Sequence, residues 1–486
     1  MINDQWSMIN DQWSMINGQR AKDQGANGQK GLIIHNSEFK VQNSKFPIDW
    51  DAVEAQAADL LSRYLQFDTT NPPGNEAPAI EFLAGLLRQH GFEPEIMESA
   101  PGRANLIARL PAATTAAAPP CILYSHADVV PANPARWSHP PFCGHIAGGY
   151  VWGRGALDNK GQGIIFLQAL TLLKQHAIPL NRDIIFVVAA DEEAAGRFGA
   201  DWLVQHRPDL LKAEYVWNEG GIGLKLPGPG GYLYQIAVAE KEALTVKLTA
   251  QGVAAHASVP QPNSPPDRLV RALNRIQWQQ QASRLTPVVI QMLKALAPGQ
   301  PYVRARLFAH ADNPVVQLLL LKYLENDPVF APLVCNSINL TMLHSGQTSN
   351  VIPATAEARL DIRLLPGENI QAVLAGLRSV MADPELRVEI EEQAIAHPPS
   401  PADSAFFCTL AQTLRRLGPP GLVLPFLTPG ATDSRYWRRA GLKAYGFVPM
   451  LLSAQELSRI HSADEQVSTA NLRWGVQVVF ETLANL

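Results

Sequence analysis

The chain has 486 residues and a formal net charge of -4, with both signs mixed along its length. That length exceeds one ordinary core and points to two domains, and the charge offers no broad cationic surface to nucleic acid or anionic lipid. Four scattered cysteines (Cys121, Cys143, Cys335, Cys408) form no CxxC pair, which argues against a disulfide framework or a thiolate metal site.

No apolar run approaches the roughly 20 residues needed to span a bilayer. The N-terminus also lacks the charged-then-apolar pattern of a signal peptide, so a cytoplasmic location is expected. Residues 1–45 carry the near-perfect repeat MINDQWS-MINDQWS-MINGQR and the looser NSEFKVQNSKF. Met, Ile and Trp recur there without a helical seam long enough for a coiled coil. The expectation is a disordered, non-functional repeat tail, with the folded chain starting near Phe46.

From there the pattern predicts a helix over 51–65, the turn NPPGN, a helix over 77–90, and strands over 104–110 and 121–125. A helix over 161–176, a strand over 182–190, a helix around 199–206 and a strand over 213–218 continue the alternation, which argues for an α/β sandwich. After the glycine-rich NEGGIG and PGPGG come alternating strands such as LTVKLTAQG, a long amphipathic helical region over roughly 267–322, and AEARLDIRLL. These read as a second α+β unit inserted into the first. The last segment, from about Ala402, returns to a helix, the strand-like KAYGFVPM and a closing helix over 468–486. The expected division is a main domain over 46–235 and 396–486, interrupted by an inserted domain over 236–395.

In open α/β sheets the ligand sits beyond the carboxyl ends of the strands. Four such exits carry charge: His126 and Asp128 after CILYS, Asp158 in GRGALDNKG, Asp191-Glu192-Glu193 after IIFVVAA, and Glu219 after YVWN. Singly, each reads as a solvated group or a cap, and DEE as an acidic first helical turn. Together they differ, because carboxylates converging on one rim repel unless a cation holds them. Oxygen and nitrogen donors without thiolate suit zinc, cobalt or manganese. Two metals about 3.5–4 Å apart need a bridging carboxylate and one or two further ligands each, which this inventory supplies.

In order and spacing, SHADVVPANPARWSHPPFCG, VWGRGALDNKGQG, AADEEAAG, NEGG, GVAAHASVP, TSNVIPATAEARLDIRLLPGE, PGATDSRYWRRAG and RIHSADEQV resemble the M20 family of zinc-dependent peptidases and aminoacylases. The likeness runs over nearly the whole chain from about Pro47. The last two motifs are most similar to its aminoacylase-1, carboxypeptidase S and N-acyl amino acid hydrolase branch. The resemblance implies a zinc-exopeptidase-like α/β/α sandwich catalytic domain with an inserted α+β lid and dimerisation domain.

It implies two zinc ions, or cobalt or manganese in their place, with Asp158 bridging. His126 and Glu219 would complete one site, and Glu193 and His461 the other. Asp128 would accept a hydrogen bond from the second ring nitrogen of His126, fixing its tautomer; the two-residue spacing puts both side chains on one face of an extended segment. Glu192 would be the general base. His256 would stabilise the oxyanion from a neighbouring subunit, making a homodimer part of the mechanism, although a core histidine is the ordinary explanation of such a position. Asn350 and Arg363 would bind the substrate's carbonyl region and carboxylate, the alternative for Arg363 being a salt bridge to Asp361. Gly430, Thr432, Asp433 and Arg435 would close a loop over the substrate.

Two departures from the family pattern, Asn159 where many relatives carry aspartate and Ser462 where glycine often follows the histidine, remove no expected ligand. The implied activity is hydrolysis of an amide beside a free carboxylate, in an N-acyl amino acid or short peptide. A dipeptidase, a deacetylase or desuccinylase of a biosynthetic intermediate, and a non-catalytic metal-binding dimer are the alternatives; an intact Glu192 speaks against the last. A phosphate-cradling reading of GRGALDNKGQG lacks the GxxxxGK[ST] arrangement.

Overall fold

The computed structural model describes residues 48–114, 118–227, 231–279 and 281–486. The tail expected over 1–45 lies outside them. Among the described residues, no helix is long and apolar enough to cross a membrane.

A ten-stranded sheet organises the larger unit. At its centre Arg182–Ala189, Ala118–His126, Tyr215–Asn218 and Lys443–Gly446 run parallel, and Arg103–Leu110 and Glu95–Ala100 add antiparallel strands at one edge. Strand alternation divides the apolar side chains between two faces. Cys121, Leu123, Ile184, Phe186 and Val188 face the helices Trp50–Leu65, Lys160–Gln175 and Thr469–Ala484. Ile122, Tyr124, Ile185 and Val187 face Ala200–His206 and Ser434–Arg439. The result is the α/β/α sandwich expected, with strands apolar on both faces because both are covered.

The smaller unit is a four-stranded antiparallel sheet in the order Ser337–Ser345, Thr355–Leu364, Glu242–Gln251, Arg387–Glu392. Helices Pro265–Gln277 and Ile370–Met381 cover one face, where Ala358, Leu360 and Ile362 meet Leu244, Val246 and Leu248.

Strand Tyr232–Glu240 lies in the large sheet, with Ile236 and Val238 in the main core. The long helical region expected over roughly 267–322 consists of Pro265–Gln277, Pro287–Leu296, Tyr302–Ala309 and Pro314–Leu324. Three of these begin with proline behind a capping Ser264, Thr286 or Asn313, and each such pair starts a new helix. The segment from Pro287 to Val334 packs on the large unit, where Val289, Leu293, Leu320 and Leu324 join the main core. Its seat includes the strand Gly421–Thr428, which the sequence pattern missed.

Candidate metal centre

Parallel strands end together, so the residues just past their ends share one rim. His126 closes its strand, Glu219 comes directly after Tyr215–Asn218, and Glu192 and Glu193 occupy a short turn after Arg182–Ala189. Asp158 precedes the helix Lys160–Gln175, and His461 arrives from the loop before Gln466–Ser468, with a left-handed φ of 60°.

Asp158 sits between the two imidazoles. Its Oδ1 is 3.2 Å from His126 Nε2 and its Oδ2 is 3.1 Å from His461 Nε2. His126 Nε2 also lies 3.7 Å from Glu219 Oε2, and His461 Nε2 lies 3.2 Å from Glu193 Oε1. Donor atoms of His126, Asp158 and Glu193 fall within 4.8 Å of one another, as do those of His126, Glu192 and Glu219. The close pairs and these triads group the side chains differently, because the cluster is compact enough for His126 to reach both halves. The close pairs are the better guide to ligand sharing, since they are the shorter distances.

Behind the cluster Asp128 is wholly buried. Its Oδ1 is 3.3 Å from His126 Nδ1, a nitrogen that also lies 3.0 Å from the Asp128 carbonyl oxygen. The backbone N–H groups of Glu192 and Glu193 donate to Oδ1 and Oδ2 of Asp128, each at 3.1 Å. One carboxylate thus orients the imidazole and both glutamates. Asn159 donates to Glu219 Oε2 at 2.7 Å, which gives the residue that departs from the family pattern a task of its own.

Crowding controls the protonation of the cluster. Burial, then the charge of Glu219, pushes Glu192 well above the ordinary carboxylate range. Burial and Asp158 raise Glu219 and bring Glu193 to about 7. Burial acts to lower His461, but Asp158 and Glu193 outweigh it and carry the imidazole to about 11. Carboxylates that must take up protons when left to themselves are ones a divalent cation would hold ionised. Glu193 Oε1 is buried, and the His461 nitrogen 3.2 Å away is not aligned with it as a hydrogen bond, which leaves lone pairs for such an ion. Imidazole nitrogens and carboxylate oxygens without thiolate fit zinc, cobalt or manganese.

The other expected residues lie apart from this cluster or beside it. His256 and Asn350 are exposed on the smaller unit, where His256 pairs with Val351 and Ala257 N–H donates to the Asn350 carbonyl. Ser258 N–H donates to His256 Nδ1, so a neutral ring carries its proton on Nε2. Arg363 makes a two-pronged pair with Asp361, at 2.8 Å for each prong. Its fork is therefore engaged in this structure. Gly430 lies in the loop after Gly421–Thr428. Thr432 is buried and donates both its N–H and its hydroxyl to Glu240. Asp433 accepts from Tyr124 at 2.5 Å, and a Cβ on Gly196 would run into its carboxylate.

Sequence reasoning missed the residues that hold this frame. Glu465 is fully buried and accepts from the N–H groups of Gly155, Leu157 and Asp158 and from Arg154. It braces the loop carrying Asp158, and its place in HSADE, four residues beyond His461, was the available signal. Asn71, Glu76, Arg103 and Glu240 are likewise buried and charged or amide-bearing, but they lie far from the motifs in sequence.

The profile of the peptidase family M20/M25/M40 matches residues 122–485. The human N-fatty-acyl-amino acid synthase/hydrolase PM20D1 is 28% identical over 384 residues, covering 75% of this chain and 74% of its own. Human aminoacylase-1 is 27% identical over 447 residues, covering 89% and 96%. Among solved structures, the metallo-carboxypeptidase Sso-CP2 from Sulfolobus solfataricus superposes with a TM-score of 0.68 at 20% identity, over 88% of this chain and 98% of that one.

Proposed function

Because this chain belongs to the peptidase family M20/M25/M40, we propose that it is a di-zinc amidohydrolase acting beside a free carboxylate, on an N-acyl amino acid or a short peptide. The observation that carries this reading is the division of labour among the clustered carboxylates. Asp158, Glu193 and Glu219 each face an imidazole nitrogen within 3.7 Å, whereas among the described residues Glu192 forms no such pair. His126, Asp158, Glu193, Glu219 and His461 would hold the two ions, and Glu192 stays available for protons.

When bound, the ions supply Lewis acidity, which makes water more acidic and polarises the scissile carbonyl. Glu192 takes the proton of the attacking water as its oxygen bonds to the carbonyl carbon. The same proton then goes to the amide nitrogen as the C–N bond breaks, and the amine leaves neutral. Burial of Glu192 favours its neutral form, which lets the side chain keep the proton it takes from water until the amide nitrogen receives it. Asp128 keeps the Nδ1 proton of His126 turned inward, so that Nε2 presents its lone pair to the cluster.

The smaller unit would complete the site from a partner copy. His256 offers its Nε2 proton from an exposed position, as an oxyanion donor acting in trans requires. Ser337–Ser345 is an edge strand with exposed Leu340, Met342 and Leu343, which favours isologous pairing in a homodimer. Arg363, exchanging Asp361 for the substrate carboxylate, would fix the acid end, and Asn350 would bind the carbonyl region, while Thr432, with both donors on Glu240, would shape the loop beside them.

The test is amine release from zinc-loaded protein offered N-acyl amino acids of short and long acyl chain, dipeptides, and the C-terminal amide of each. Chelator-sensitive release from the free acids, with the amides poor, is expected. Release that survives chelation, or none from any carboxylate-bearing compound, would contradict the reading.

A further inference from the structure

We propose that Arg103 is a positioning residue for Glu192 and Glu193, acting through Asp191. The inference rests on the roles proposed for the two glutamates and says what holds them there.

Arg103 opens the strand Arg103–Leu110, and its side chain is only 7% exposed. Nε donates to Glu76 Oε2 at 2.8 Å, and Nη2 donates both to Glu76 Oε1 and to Asp191 Oδ1, each at 2.9 Å. Nη1 reaches the Pro73 carbonyl at 3.3 Å. The guanidinium lies against the turn NPPGN so closely that a Cβ on Gly74 would strike it. A turn that reads in the sequence as punctuation is thus the seat of a buried cation.

Asp191 is where that cation matters. It stands at a φ of 70°, and Ala195 at 86°, in the left-handed region that residues with a Cβ enter rarely. Such a conformation persists when its surroundings over-determine it. Three donors converge on the Asp191 carboxylate: Arg103, Asn71 Nδ2 at 3.0 Å and Phe198 N–H at 3.2 Å. Glu192 and Glu193 come next in the chain, and their N–H groups point at the two oxygens of Asp128. Asn71 also donates to Asp128, at 2.8 Å, and so ties the two anchoring carboxylates together. Among the described residues Arg103 is the only cation paired with Asp191.

A planar fork can hold Glu76 and Asp191 at once, whereas an ammonium cannot reproduce that geometry. Without the fork, Asp191 has no ion-pair partner and keeps only Asn71 and the Phe198 N–H, so the turn that carries both glutamates is held less firmly. A displacement of about 1 Å at reacting groups costs on the order of 100-fold in rate.

The experiment compares wild type with Arg103→Met, Arg103→Lys, Glu76→Gln and the double variant Glu76→Gln/Arg103→Met, reading kcat, KM, zinc affinity of the chelator-stripped protein and melting temperature. The double variant keeps the net charge of the buried trio and Arg103→Lys keeps the cation, so loss of fold in Arg103→Met leaves two variants to read. Expected are a kcat about 100-fold down in both Met variants with little change in KM, zinc binding weaker by roughly tenfold, partial recovery in Arg103→Lys, and a smaller kcat loss in Glu76→Gln. A folded double variant that turns over and binds zinc like Glu76→Gln would overturn the proposal. Should wild type release no amine from any compound, zinc affinity alone decides: weakening in the Arg103 variants supports the positioning role, and unchanged affinity refutes it.

Discussion

At the carboxyl edge of the large sheet, His126 and Asp158 stand 3.2 Å apart with the wholly buried Asp128 behind them. On the smaller unit, His256 and Asn350 are exposed on a two-strand ladder, and Arg363 spends its fork on Asp361. The first region is built as a finished interior, in which every anchoring group is held by another. The second is a surface that lacks the cover a substrate site needs. On the proposed reading, the groups that hold the ions are fixed within one chain, while those assigned to substrate or to a second copy lie on an outer face.

The largest effect should come from the first region. Glu192→Gln should lower kcat by about 10³-fold or more while zinc content stays that of wild type; near-normal turnover in stopped assays would remove Glu192 from the proton transfer. Next comes the second region. His256→Ala should cost about 100-fold in kcat, and verified heterodimers of His256→Ala with Glu192→Gln chains should recover part of the activity. Absence of rescue would place the histidine in its own chain's chemistry or outside it.

A smaller change is expected from Arg363→Ala, with KM for free-acid substrates raised about tenfold or more, and that for the corresponding amides little altered. Equal effects on both would show that the pair with Asp361 is the residue's whole role. The smallest concerns the junction of the two regions, where buried Lys241 donates to the Cys335 carbonyl at 2.9 Å. Burial lowers its ammonium to about 8, against about 10.4 in an unfolded chain. Between those values the unfolded state binds more protons, so this residue makes stability increase as pH rises. Urea unfolding of wild type and Lys241→Met, compared at pH values of about 7.5 and about 9.5, should show the variant losing part of that increase.

Much of the large unit was legible because its strands are short apolar runs ending in polar residues, and the runs before His126, Asp191 and Glu219 became adjacent parallel strands. Parallel strands must deliver the residues beyond their carboxyl ends to a common rim, so the gathering of these side chains could be anticipated from the sequence. The helices around residue 300 could not, because their apolar faces say that they pack but not on which unit. Gly421–Thr428 escaped because Pro425 and a fully apolar pattern remove the alternation that marks a strand. Glu76 and Arg103 are 27 positions apart and Arg103 and Asp191 are 88 apart, so nothing local announces their network.

The most direct measurement is zinc titration of chelator-stripped wild type beside Asp158→Asn, with amine release from an N-acyl amino acid followed in the same samples. Wild type should take up about two equivalents, as a site bridged by one carboxylate requires, and regain turnover as they bind, while Asp158→Asn loses at least one equivalent and its activity. Two equivalents retained in Asp158→Asn, or full turnover in metal-free wild type, would contradict the bridged centre on which the proposed chemistry depends.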